Sequence, residues 1–184
     1  MKAFFDIDTQ IDFLYPAGAL YGKGAELLIP AIAKLNRHAS DNGIPLISSV
    51  CAHPENAAEF RVWPSHCVID TVGQKKPPST IVPGQIVIAK DDLDMFSSPE
   101  VIPLLDRLQI DECYVYGVFI EYCVKCAVEG LLKTGRRVNL VRDATTWIDP
   151  KAGKGALDAF AARGGSLYKE INIRDITASD TGRR

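Results

Sequence analysis

A chain of 184 residues suits a single domain. At that size roughly 70% of the unfolded surface can be buried, so a core forms without staples. Its composition, 47% hydrophobic and 24% charged, excludes a disordered or collagen-like chain. The net charge of −2 lacks the basic excess of a phosphate-backbone binder, which excludes nucleic acid as a main partner.

No apolar run approaches ~18 residues, so no membrane span is expected. Asp6 and Asp8 interrupt the apolar stretch that an export signal would need. Five cysteines (Cys51, Cys67, Cys113, Cys123, Cys126) are an odd set for a disulfide framework. The expectation is a cytoplasmic protein with reduced thiols.

The predicted elements alternate between strand and helix. Residues 2–8 read as a strand. Residues 24–42 carry Leu27, Leu28, Ala31, Leu35 and Ala39 at helical spacing, with Pro30 early in the pattern and Asn42-Gly43 at its end. Strand 44–50 follows, then a proline-rich irregular stretch over 51–85, then strand 85–90. A helix is predicted over 98–109, with Pro99 at its first position. Strand 112–118, helix 121–134, strand 137–143, helix 150–164 and a sixth strand over 166–171 complete the pattern. The predicted domain spans 1–173, and 174–184 form a polar tail. Continuously apolar strands separated by helices imply an α/β protein with a mostly parallel sheet covered on both faces.

In such a sheet, ligands bind beyond the carboxyl ends of the strands. Strand 1 ends in Asp6, Asp8, Gln10 and Asp12; strand 2 leads to Cys51, His53 and, further on, His66. Strand 3 ends in Lys90, followed by Asp91 and Asp92; strand 4 leads to Cys123; strand 5 ends at Asp143. Cys123 falls in the first turn of a helix, where free N–H groups and the helix dipole favour a thiolate and can hold an oxyanion. Asp8 could serve as its base and Lys90 as its counter-charge. The alternative is a buried apolar cysteine, a capping aspartate and a solvated lysine.

The segments FDIDTQIDF (5–13), HPEN (53–56), WPSHC (63–67), IAKDD (88–92) and YGVFIEYCVKCAVEGLLKTG (116–135) resemble the cysteine-hydrolase branch of the isochorismatase-like superfamily, nicotinamidases above all. The resemblance implies a three-layer α/β/α sandwich with a roughly six-stranded sheet. It implies hydrolysis of a small carboxamide through a thioester, with Asp8, Lys90 and Cys123 as the catalytic trio. The backbone N–H groups of Phe119 and Cys123 would form the oxyanion hole, after a cis Val118–Phe119 peptide. Phe13 and Trp63 fall at aromatic positions that line the substrate pocket in relatives, while Phe119 stands where the family usually has a small residue and would either narrow the pocket or point into the core. Relatives are commonly dimers or larger, so a homo-oligomer is expected.

The family also carries a metal site, and here the chain departs from it. Cys51 stands where an aspartate is usual, and Ala57 or Ala58 where a further histidine is usual. His53 and His66 remain. Cys51, His53 and His66 would suit zinc, with a fourth position open; the alternative is a decayed site. Cys123 and Cys126 form a C-x-x-C spacing, read as a nucleophile followed by a small apolar residue and not as a redox pair. Two other functions stand beside the amidohydrolase: a retired family member acting as a scaffold, and a hydrolase of a non-amide substrate. The intact trio weighs against both.

Overall fold

The computed structural model describes residues 1–169. The far end of the predicted sixth strand, the boundary at 173 and the polar tail lie outside the described residues. The elements are β1 (Lys2–Ile7), α1 (Ile11–Leu14), α2 (Ile29–Asp41), β2 (Leu46–Cys51), β3 (Ile86–Lys90), α3 (Val101–Arg107), β4 (Glu112–Gly117), α4 (Cys123–Lys133), β5 (Arg137–Thr145), α5 (Pro150–Ala162) and β6 (Ser166–Tyr168). Six strands form one parallel sheet in the order β3-β2-β1-β4-β5-β6. No helix among the described residues is long and apolar enough to cross a membrane.

The alternation of side chains along β1 builds two cores. Ala3, Phe5 and Ile7 face one way, onto Val101, Leu104 and Leu105 of α3, Val124, Ala127 and Leu131 of α4, and Leu157 and Phe160 of α5. Phe4 faces the other way with Tyr114 and Tyr116, against Ile32, Leu35 and Ala39 of α2 and Phe13 and Leu14 of α1. This is the expected α/β/α sandwich.

Two helices begin later than predicted. The pattern over 24–42 is split into a 3-10 turn, Ala25–Leu28, and α2, whose first turn takes Pro30 because that position needs no intrahelical N–H. The helix predicted from 98 starts at Val101, so it is Pro103, not Pro99, that occupies the first turn. A 3-10 turn at Met95–Ser97, with the Asp94 carboxylate accepting from Phe96 N–H, uses the preceding residues.

The chain lays β2 and β3 on one side of β1, then crosses to place β4 on the other. The carboxyl ends of β1 and β4 therefore flank the point where strand order reverses, the place where open α/β sheets form a ligand crevice. Gly117 closes this edge. Its φ is +120°, and a Cβ there would lie 2.1 Å from Ile7 O. Only glycine allows β4 to end so close to β1.

Buried polar groups fasten the irregular 51–85 segment to the sheet. Asp6 accepts from Thr9 Oγ1 at 2.6 Å, Asn36 Nδ2 at 2.7 Å and Lys76 Nζ at 2.9 Å. Asn36 also donates to Thr80 O and accepts from Tyr116 OH, each at 2.7 Å.

Candidate active site

The D-x-Q-x-D element after β1 divides its work between three side chains. Asp8 leaves the strand with φ +51° and is fully buried. Gln10 reaches across to the end of β2, accepting from Cys51 N–H at 2.7 Å and donating to Cys51 O at 2.8 Å and Gln74 O at 2.7 Å. Asp12 accepts from Ala19 N–H at 3.1 Å and Cys67 N–H at 2.7 Å. Gly73 packs so tightly on this carboxylate that a Cβ would lie 2.1 Å from Asp12 Oδ2. Gln10 and Asp12 are the pins that fix the loops around Asp8.

Asp8, Lys90 and Cys123 converge, although they lie on three separate strand ends. Lys90 Nζ is 2.8 Å from Asp8 Oδ2 and 3.8 Å from Cys123 Sγ. Ser49 Oγ donates to Asp8 Oδ1 at 2.7 Å. Burial opposes the charge on Asp8, but Lys90, Ser49 and Cys123 together hold its carboxyl below the ordinary carboxylate value. Burial likewise opposes the Lys90 charge, and Asp8 and the two nearby sulfurs outweigh it, raising the ammonium well above its ordinary value.

The second sulfur belongs to Cys51. The sequence groups Cys51 with His53 and His66; in the structure its Sγ lies 3.3 Å from Lys90 Nζ and 3.6 Å from Asp8 Oδ2. Asp8, Cys51 and Cys123 form one group, with their ligand atoms within 4.8 Å of one another. The Lys90 ammonium has three hydrogens. Asp8, Asp92 O at 2.8 Å and the two sulfurs compete for them, and Cys123 is the most distant. The two sulfurs lie within 4.8 Å of each other. Their interaction pulls Cys51 down to about 7 and, with burial, pushes Cys123 up. Burial raises the remaining thiols: Cys67, Cys113 (to about 12) and Cys126.

His53 and His66 find a different partner, Glu59, which sequence reasoning missed. Ala57 and Ala58 were read as marking a lost ligand. Instead the 3-10 turn Ala58–Arg61 swings Glu59 inward, with its carboxylate 3.8 Å from His53 Nε2 and 3.7 Å from His66 Nε2. The remaining ring nitrogens are occupied: His66 Nδ1–H donates to Pro64 O at 2.7 Å, and His53 Nδ1–H to Asp91 at 2.5 Å. His53 Nε2 is buried with no hydrogen-bond partner among the described residues. Burial opposes a proton on His53, but Cys51, Asp91 and Glu59 raise it to about 9; burial lowers His66.

This set fits a zinc-like ion. The two Nε2 atoms and the Glu59 carboxylate lie within 4.8 Å of one another, and zinc would take the place of the proton on His53. Tetrahedral zinc with ligands at about 2.0–2.1 Å needs ligand atoms roughly 3.3 Å apart, a modest contraction. Asp91 orients His53 in the manner of the carboxylates behind many metal-binding histidines.

Members of both groups border one cavity, which is lined by Phe13, Trp63 and Phe119 and also by Leu20, Tyr122 and Ile148. Phe13 and Phe119 meet edge to face with centroids 5.7 Å apart, and Trp63 meets Tyr122 at 5.3 Å. Phe119 also packs into the core, against Gly22. The Val118–Phe119 peptide is cis, as expected. Among the described residues no backbone carbonyl accepts from the N–H of Phe119 or of Cys123.

An isochorismatase domain model matches residues 2–169. The chain is 25% identical over 201 residues to the nicotinamidase of Escherichia coli, spanning 91% of this chain and 94% of that protein. It is 24% identical over 189 residues to the nicotinamidase of Saccharomyces cerevisiae, spanning 79% and 88%. The solved pyrazinamidase of Pyrococcus horikoshii in complex with zinc superposes with a TM-score of 0.86 at 29% identity, covering 91% of this chain and 98% of that one.

Proposed function

The chain belongs to the isochorismatase domain family and is a hydrolase of amides, and from that premise we propose that it cleaves a small carboxamide of the nicotinamide kind through a thioester on Cys123. The observation that carries this reading is the meeting of Asp8, Lys90 and Cys123 at the strand-order reversal, beside two uncommitted amide N–H groups.

Asp8 takes the proton of the Cys123 thiol as the sulfur attacks the amide carbon. Lys90 balances the negative charge that this places among Asp8 and the sulfurs. The carbonyl oxygen, becoming an oxyanion, accepts from the N–H groups of Phe119 and Cys123, at the start of α4 where the helix dipole adds to their effect. Asp8 returns the proton to the departing nitrogen, leaving an acyl group on Cys123. Water then attacks the thioester with Asp8 again as base, and the thiol is restored.

Phe13, Trp63 and Phe119 provide flat apolar walls suited to a single ring. His53, Glu59 and His66 would hold a zinc ion at the far side of the pocket. When bound, the ion supplies a Lewis-acid centre suited to the ring nitrogen of a pyridine or pyrazine.

Ammonia release across nicotinamide, pyrazinamide, maleamate, carbamoyl compounds and aliphatic amides tests the reading. Ring carboxamides are expected to turn over fastest. Cys123→Ala should lower kcat at least about 10³-fold while the fold is kept, and Cys126→Ala should retain activity. An active Cys123→Ala protein would sink the proposal.

A further inference from the structure

Cys51 is the one buried nucleophilic group at the active centre that the amidase chemistry leaves without a task. Its sulfur contacts the same ammonium as Cys123 and lies within 4.8 Å of the Cys123 sulfur. The two sulfurs come from different elements, the last residue of β2 and the first of α4. Gln10 holds the β2 end through both backbone groups of Cys51. Both cysteines border the pocket, so a molecule as small as a peroxide that enters with the substrate's access reaches them.

We propose that Cys51 and Cys123 form a reversible disulfide on reaction with a hydroperoxide, switching the amidase off under oxidation. This rests on the reading of Cys123 as the nucleophile. One sulfur attacks the peroxide O–O bond and becomes a sulfenic acid, with water or an alcohol leaving. The second thiol attacks that sulfur, the S–O bond breaks, and a second molecule of water departs. The two sulfurs together lose two electrons and two protons, and the peroxide takes them up. Lys90, beside both sulfurs, donates to the departing oxygen and is re-protonated from solvent. A resolving thiol within 4.8 Å protects Cys123 from passing on to the irreversible sulfinic acid.

Cys126, at C-x-x-C spacing, is the other thiol near Cys123, and the structure favours Cys51 over it. Cys126 lies a turn along the same helix, is only partly buried and is not among the residues bordering the pocket.

The test treats the full-length protein with hydrogen peroxide in the presence of a chelator. It follows ammonia release, free thiols and non-reduced peptide mass maps. The expected result is loss of nearly all activity, a Cys51–Cys123 peptide lighter by two hydrogens than its separate halves, and recovery with dithiothreitol. In Cys51→Ala, measured against its own untreated activity, the loss should become irreversible and Cys123 should carry a sulfinic acid. The Cys126→Ala protein should behave as the wild type. A Cys123–Cys126 linkage, or a wild-type Cys123 sulfinic acid with Cys51 untouched, would overturn the inference. A Cys51–Cys123 disulfide that leaves turnover intact would refute instead the assignment of Cys123 as nucleophile, and with it the switch.

Discussion

Two buried aspartate–lysine pairs sit two residues apart at the end of β1, and they are built for opposite ends. Asp6 pairs with Lys76 at 2.9 Å and Asp8 with Lys90 at 2.8 Å; all four side chains are buried. Around Asp6 the remaining acceptor capacity is taken by Thr9 and Asn36, and Asn36 is itself satisfied by Thr80 and Tyr116. Lys76 also donates to Thr9. Every partner is an oxygen or nitrogen at a short, fixed distance. Around Asp8 the shell includes two sulfurs at 3.3–3.8 Å from Lys90 or Asp8, weak acceptors that leave the pair able to exchange a proton. A closed network of this kind holds a loop. A shell with soft, reactive members suits the proposed reaction centre. The same charge pair, buried to the same degree, is completed for structure in one place and, in the proposed function, for chemistry in the other.

The largest contrast should appear in turnover. Asp8→Asn removes the proposed proton carrier and should lower kcat by about 10²–10⁴-fold, whereas Asp6→Asn should leave the kcat of the folded protein near the wild-type value. Steady-state ammonia release with active-site titration separates the two. Equal losses of kcat would erase the distinction. In stability the pairs should look alike. Each substitution strands a buried ammonium and should cost roughly 3–5 kcal/mol in urea denaturation.

A smaller effect concerns acid. The Asp8 carboxyl is held below its ordinary value of 3.8, so its folded pKa lies under its unfolded one. Its contribution to stability is therefore full above the unfolded value and is lost as pH falls through the folded one. Urea midpoints measured across the acid range should decline less steeply for Asp8→Asn than for the wild type. Parallel curves would remove Asp8 as a source of acid sensitivity.

The histidine group gives a further contrast, since Glu59 is outside both pairs. Glu59→Gln should weaken zinc retention at least about tenfold, read by metal analysis after dialysis against a competing chelator. It should leave the thiol reactivity of Cys123 unchanged. The smallest effect is expected at Gln10. Gln10→Ala removes the bonds that tie Cys51 and Gln74 to the first strand end, at a cost of about 1–3 kcal/mol. It should also slow peroxide-driven disulfide formation, because Cys51 is no longer held in register. Unchanged kinetics would show that Gln10 serves the loop alone.

The sequence by itself determined the layered architecture and the convergence of Asp8, Lys90 and Cys123. Strand and helix periodicities are local, and a parallel sheet gathers the residues that follow its strands at one edge. In the structure, side-chain alternation along β1 sends Phe4 and Phe5 into opposite cores. The start of α3 was misplaced because Pro99 and Pro103 both satisfy the local rule for a first turn, and packing of Val101 and Leu104 chose between them. Only the tertiary structure decided how the 51–85 segment uses its side chains. That segment has no repeating period, and its directions are set by long-range bonds from Gln10, Asp12 and Asp6. Those bonds bring Glu59 to the two histidines and leave Cys51 beside Cys123, pairings between residues whose spacing along the chain carries no signal of contact.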